Sequence, residues 1–70
     1  SQDGVLMTSL TKREKEILKF VAQQYSTREI AEELHISEST VETHHKNLMK
    51  KLKVKNSVGL AIFALKNEVI

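Results

Sequence analysis

The chain contains no cysteine. Disulfides and thiolate metal sites are therefore excluded, and a reducing compartment fits. Proline is absent, and only two glycines occur, Gly4 and Gly59. Little in the sequence breaks helices, so an all-α fold is expected. Long hydrophobic runs are missing too. The longest, Val58 to Leu65 with Gly59 inside it, falls far short of the roughly 20 residues that span a bilayer. No secretion signal is found, so the expected place of action is the cytoplasm, with no membrane partner. No glycine-rich phosphate loop and no nucleophilic or hydrolytic constellation is present, so an enzyme is not expected.

What remains is 70 residues, enough for one domain. A domain of this size buries only about 60% of the surface its unfolded chain exposes, so packing must be efficient. The chain begins at Ser1, and residues 1–7 read as linker or vector-derived sequence before a domain over 8–70, as in a fragment of a longer protein. Charge is unevenly spread. Residues 1–42 carry five Lys/Arg and eight Asp/Glu, net −3, whereas residues 43–70 carry six Lys and one Glu, net +5. A basic half opposed to an acidic half points to a polyanionic partner.

Thr11-Lys12-Arg13-Glu14 is a capping box. Ile17, Leu18, Val21 and Ala22 follow at helical spacing, which predicts a first helix over 12–24, with Leu10 placed to pack on its first turn. Ser26-Thr27-Arg28-Glu29 is a second capping box and opens a short helix over 27–34. His35-Ile36-Ser37 is a break with an apolar residue turned to the core. Ser37 caps a third helix over 38–53, and Asn56 or Ser57 caps a fourth over 57–68.

Two helices joined by about three residues, the first one short, form a helix-turn-helix candidate over 27–46. Ala31 is the small residue its close crossing needs. With Val41 at zero on a wheel of about 100° per residue, Leu48, Leu52 and His45 fall within about 40° of it and form the buried stripe. Ser39, Thr43, Lys46 and Lys50 fall on the opposite side. Glu42 and Lys53 flank one edge; Thr40, Asn47 and Lys51 flank the other. Short hydrogen-bonding side chains near the N-terminus followed by lysines suit a helix whose first turns enter a major groove, and a helix N-terminus favours nearby phosphate. A solvated helix with lysines near its negative end reads this face alone equally well.

The runs Leu10-Thr11-Lys12-Arg13-Glu14, Glu29-Ile30-Ala31, Ile36-Ser37-Glu38-Ser39-Thr40-Val41-Glu42-Thr43-His44 and Lys51-Leu52 together resemble the LuxR/NarL/FixJ-type (GerE-like) helix-turn-helix domain, over roughly residues 8–70. The resemblance implies a four-helix module that binds double-stranded promoter DNA, with dimers formed through the last helix. Its base-contacting positions fall on Glu42, Thr43 and Lys46, and its phosphate contacts around Ser26, Thr27, Thr40 and Lys50. The outward face adds Asn47 to the base-contacting set, and Ser39 and Lys53 to the phosphate set. The resemblance further implies the output domain of a two-component response regulator, an upstream phosphorylated receiver with a small-ligand sensor as the alternative, and RNA polymerase as a partner. It implies no cofactor, and no small-molecule ligand within this fragment. Three departures stand out. Glu42 lies where many relatives carry lysine, and an acid is repelled by phosphate. Gln24 lies where a glycine commonly closes the first helix, a misfit of about 1 kcal/mol if φ stays positive. Ser57 replaces a common arginine.

On the last helix, Val58 and Ile62 form the expected centre of a weak homodimer surface and Phe63 its edge. Gly59 and Lys66 mark solvent, and Leu60, Ala61, Ala64 and Leu65 face inward. The histidines, His35, His44 and His45, do not form a metal site. Neighbours on a helix diverge by about 100°, and neither His44 nor His45 has an acidic residue four positions on. A sigma-factor-like promoter-reading domain shares the Glu-Ile-Ala and turn pattern. A helical protein-interaction bundle without DNA binding is the alternative of another class.

Overall fold

The helix starts follow from side chains within three residues of each one. Thr11 Oγ1 accepts the Glu14 N–H at 3.1 Å while the Glu14 carboxylate accepts the Thr11 N–H at 2.9 Å. Ser26 and Glu29 repeat the exchange at the same two distances. Ser37 Oγ accepts the Thr40 N–H at 3.1 Å, and Asn56, not Ser57, caps the last helix through Gly59 N–H at 3.0 Å. In the computed structural model, which describes residues 2–69, these caps open four of five helices. They are α1 (Gln2–Thr8), α2 (Lys12–Ala22), α3 (Thr27–Leu34), α4 (Glu38–Leu52) and α5 (Ser57–Lys66). No strand occurs among the described residues.

The far ends of α2, α3, α4 and α5 share one device. A residue in the left-handed region turns the chain, and the next N–H reaches back to the carbonyl five residues earlier. Gln24, His35, Lys53 and Glu68 hold φ of 66°, 56°, 58° and 56°. The closing bonds are Tyr25 to Phe20 at 3.0 Å, Ile36 to Ala31 at 3.1 Å, Val54 to Met49 at 3.1 Å and Val69 to Ala64 at 2.9 Å. These are Schellman closures, built without glycine. Gly59 serves close approach: a Cβ there would meet the Val54 Cβ at 3.1 Å. The turns thus end α2 at Ala22 and α5 at Lys66, two residues before the expected bounds of 24 and 68, and α4 at Leu52, one before 53.

The core is made by Ile17 and Leu18 of α2, Ile30 and Ala31 of α3, Val41, Leu48 and Leu52 of α4, and Leu60, Phe63 and Ala64 of α5, closed by Leu10. Burying each large aliphatic or aromatic member contributes about 1.5–3 kcal/mol. Ala31 lies on the inner face of α3, as its size requires, and Ile36 packs partly buried against the core from the turn.

α1 differs from the linker expected over residues 1–7. Seven residues with a glycine among them do not hold a helix alone. Tertiary contacts supply the difference. Leu6 and Met7 pack on the core. The Asp3 carboxylate accepts from Asn67 Nδ2 at 3.2 Å and pairs with Lys66 Nζ at 3.4 Å. The Asn67 hydrogen bond leads in holding the Asp3 carboxyl below its usual range, with Lys66 adding to it against a partial burial penalty.

Candidate nucleic-acid interface

α4 buries Val41, Leu48 and Leu52 and leaves Ser39, Thr40, Glu42, Thr43, Lys46, Asn47 and Lys50 exposed. Lys53, one residue past the helix, is exposed as well, as is Lys55 beyond it. The sequence-predicted base and phosphate residues of this helix thus form one polar face. His45 is half-buried and joins α4 to α5 through Nε2 and Ser57 Oγ, 3.0 Å apart. The serine at 57 therefore ties to α4.

The hydroxyls at the start of α4 are partly committed. Ser37 Oγ lies 2.8 Å from Thr40 Oγ1 and 3.1 Å from Ser39 Oγ. Thr43 Oγ1 donates to the Ser39 carbonyl at 3.1 Å. With its proton used, Thr43 presents lone pairs outward and reads as an acceptor. Ser26, at the start of α3, accepts through its oxygen from Glu29 N–H. The Ser26 backbone N–H, then its hydroxyl, hold the Glu29 carboxyl below its usual range. Thr27 is half-buried and lines one cleft with Val41 and His45, so the start of α3 lies beside the first half of α4.

One lysine leaves the face. Lys51 Nζ donates to Glu14 Oε1 at 2.8 Å and to the Ser9 carbonyl at 3.3 Å. Glu14 is buried. Burial pushes its carboxyl up, but hydrogen bonds from Lys51 and Thr11 and the Lys51 charge outweigh that and hold it below the usual glutamate range. Local spacing offers no signal for this pair, whose members stand 37 residues apart.

The expected dimer face needs correcting. Val58 and Ile62 are 65% and 59% exposed, as the reading requires, but Phe63 is 7% exposed and belongs to the core. Leu65, placed inward from sequence, is 63% exposed. Gly59 is half-buried against Val54 and does not mark solvent, whereas Lys66 does. The reason is a rotation. Val58, Ile62 and Leu65 lie within about 60° of one another on the wheel, and the core takes the opposite side through Leu60, Phe63 and Ala64. Among the described residues, no group of His, Asp or Glu could hold a metal ion, and no helix is long and apolar enough to cross a membrane.

Residues 8–64 match the family model described as bacterial regulatory proteins, luxR family. The chain is similar to the oxygen regulatory protein NreC of Staphylococcus carnosus, 44% identical over 61 residues, covering 87% of this chain and 28% of that protein. It is similar to the response regulator protein VraR of Staphylococcus saprophyticus, 41% identical over 69 residues, covering 99% and 33%. It is also similar to the transcriptional regulatory protein YhcZ of Bacillus subtilis, 49% identical over 57 residues, covering 81% and 27%. The chain spans a third or less of these relatives' length.

Proposed function

Since the chain belongs to the luxR family of bacterial regulatory proteins, as a DNA-binding regulatory domain and not an enzyme, we propose that it reads double-stranded promoter DNA sequence-specifically through α4, as the output domain of a response regulator. The observation that carries this reading is the division of α4 into one fully buried apolar stripe and one wholly exposed polar face. A folded helix that spends no polar side chain of that face on the core has it free for a groove.

In this reading Lys46, Asn47 and Thr43 meet base edges, while Lys50, Lys53, Ser39, Thr40, Ser26 and Thr27 meet phosphate. Lysine and amide groups supply donors to guanine and adenine edges, and Thr43 supplies an acceptor. Glu42 accepts from cytosine N4 and repels phosphate, so it selects more than it binds. Two copies sit on adjacent half-sites through Val58, Ile62 and Leu65 of α5. The partner at the promoter is RNA polymerase, the compartment is the cytoplasm, and the signal arrives from a receiver in the longer protein.

Binding of the chain to a random-sequence duplex between 50 and 200 mM salt tests the core of this reading. Lys50 and Lys53 on phosphate predict a linear fall of log K with log salt, with a slope of roughly −2 for each bound copy. Selection from a random duplex pool should then enrich one motif. A flat salt response would favour a protein-interaction bundle instead.

A further inference from the structure

Lys51 stands on the wheel beside Thr40 and Asn47, at the edge of the outward face of α4. By charge it would join Lys46 and Lys50, but it stands about 100° round the wheel from Lys50. Its contacts run the other way. Nζ is held by Glu14 Oε1 at 2.8 Å and the Ser9 carbonyl at 3.3 Å. The carboxylate that receives it is fixed beforehand, because Oε1 also accepts the Thr11 N–H at 2.9 Å in the capping box of α2.

The apolar stripe of α4 is narrow. Val41, Leu48 and Leu52 lie within about 40° of one another, a seam on which a helix can roll. Polar anchors stand on either side of that seam. His45 joins Ser57 of α5 on one side at 3.0 Å, and Lys51 joins Glu14 of α2 on the other.

We propose that Lys51 is a positioning residue for base reading: it touches no DNA, and its pair with Glu14 sets the rotation of α4 about its own axis. This rests on the reading of α4 as the DNA-reading helix. Side-chain ends lie about 5–6 Å from a helix axis, so a roll of about 20° moves them by about 2 Å. A hydrogen bond to a base edge works within a few tenths of an ångström. A lysine on phosphate is a point charge on a flexible stem and follows such a shift. Losing the anchor therefore lowers selectivity and spares the salt-dependent attraction.

The test uses the 70-residue chain and the double variant Glu14→Gln/Lys51→Met, which leaves net charge unchanged and removes both members of the pair together. Affinities for the selected site and for random duplex are measured across a salt series, with helicity checked by circular dichroism. Lys50→Ala serves as reference and should reduce the slope by about 0.9. The double variant should keep the wild-type slope on random duplex and lose about tenfold or more in the ratio of selected-site to random affinity. A slope reduced as in Lys50→Ala would make Lys51 a phosphate contact and overturn the proposal. An unchanged ratio would show α4 held without the pair and overturn it too. Should the double variant lose its helical signal, Glu14→Gln alone is read by the same ratio. A wild-type chain with no salt-dependent binding would overturn the DNA reading and this proposal with it, whereas the two outcomes above overturn the proposal alone.

Discussion

The Phe20 and Tyr25 rings meet with centroids 4.8 Å apart and planes tilted by 47°, across the turn that follows α2. Within that turn Gln24 holds φ 66°. The ring contact is the hydrophobic closure that accompanies a Schellman turn, and it holds a glutamine where glycine is at ease. Gln24→Gly should therefore stabilise the domain by about 1 kcal/mol, which for a chain of this size raises Tm by about 4–8 °C. Thermal unfolding followed by circular dichroism checks it. A lower Tm would mean that the Gln24 side chain contributes more than its backbone costs.

Lys46 and Lys50 lie one turn apart on the exposed face of α4 and should behave differently. Lys50→Ala should weaken every sequence alike and cut the salt slope by about 0.9. Lys46→Ala should cost roughly 1–3 kcal/mol on the selected site and relax one base preference. Equal losses on selected and random duplex for both variants would remove Lys46 from the base-reading set.

The exposed stripe of Val58, Ile62 and Leu65 offers one helix face, well below the roughly 800 Å² per partner of a stable interface. Free chains should sediment as monomers, and a two-site duplex should pair them by raising effective concentration. Ile62→Lys should fold, bind a single half-site normally and lose cooperative filling of the second. Phe63→Lys, by contrast, should unfold the domain. An Ile62→Lys chain that fills both half-sites cooperatively would place the dimer contact elsewhere.

The lowered carboxyl of Glu14 makes part of the stability pH-dependent. A carboxyl that titrates lower in the folded than in the unfolded chain stabilises above the unfolded value, and that contribution is lost as pH falls through the folded one. The window opens below about pH 4.3, the ordinary glutamate value. Between pH 5 and 2 the wild type should lose on the order of 1 kcal/mol more than Glu14→Gln, a figure that allows for screening at the exposed lysine end. Urea titrations of both chains across that range measure it. Parallel losses would show the pair to be energetically silent.

Much of the candidate interface was legible because α4 alternates cleanly. Val41, Leu48 and Leu52 mark one side, and polar residues fill the other, so a wheel places Thr43, Lys46 and Lys50 outward before any contact is known. α5 carries no such contrast. Ser57-Val58-Gly59-Leu60-Ala61-Ile62-Phe63-Ala64-Leu65-Lys66 is apolar nearly all round, and periodicity then has no polar side to measure from. That is why periodicity puts Phe63 at the exposed edge and Leu65 inward, the reverse of their places in the fold, and points Gly59 to solvent although it lies against Val54.

The sequence by itself determined where α2, α3, α4 and α5 begin, because each start is a hydrogen bond between a side chain and an N–H three residues on. It also determined which stripe of α4 is buried, because that stripe repeats at helical spacing. The tertiary structure alone decided that residues 2–8 are helical, that Lys51 turns from the polar face to Glu14, and that α5 presents Val58, Ile62 and Leu65. The first two depend on partners far along the chain: Asn67 lies 64 residues from Asp3, and Glu14 and Ser9 lie 37 and 42 residues from Lys51. The third depends on which face the rest of the core leaves uncovered. A local pattern carries the spacing of neighbours along a helix, and these contacts come into being only when separate helices pack together.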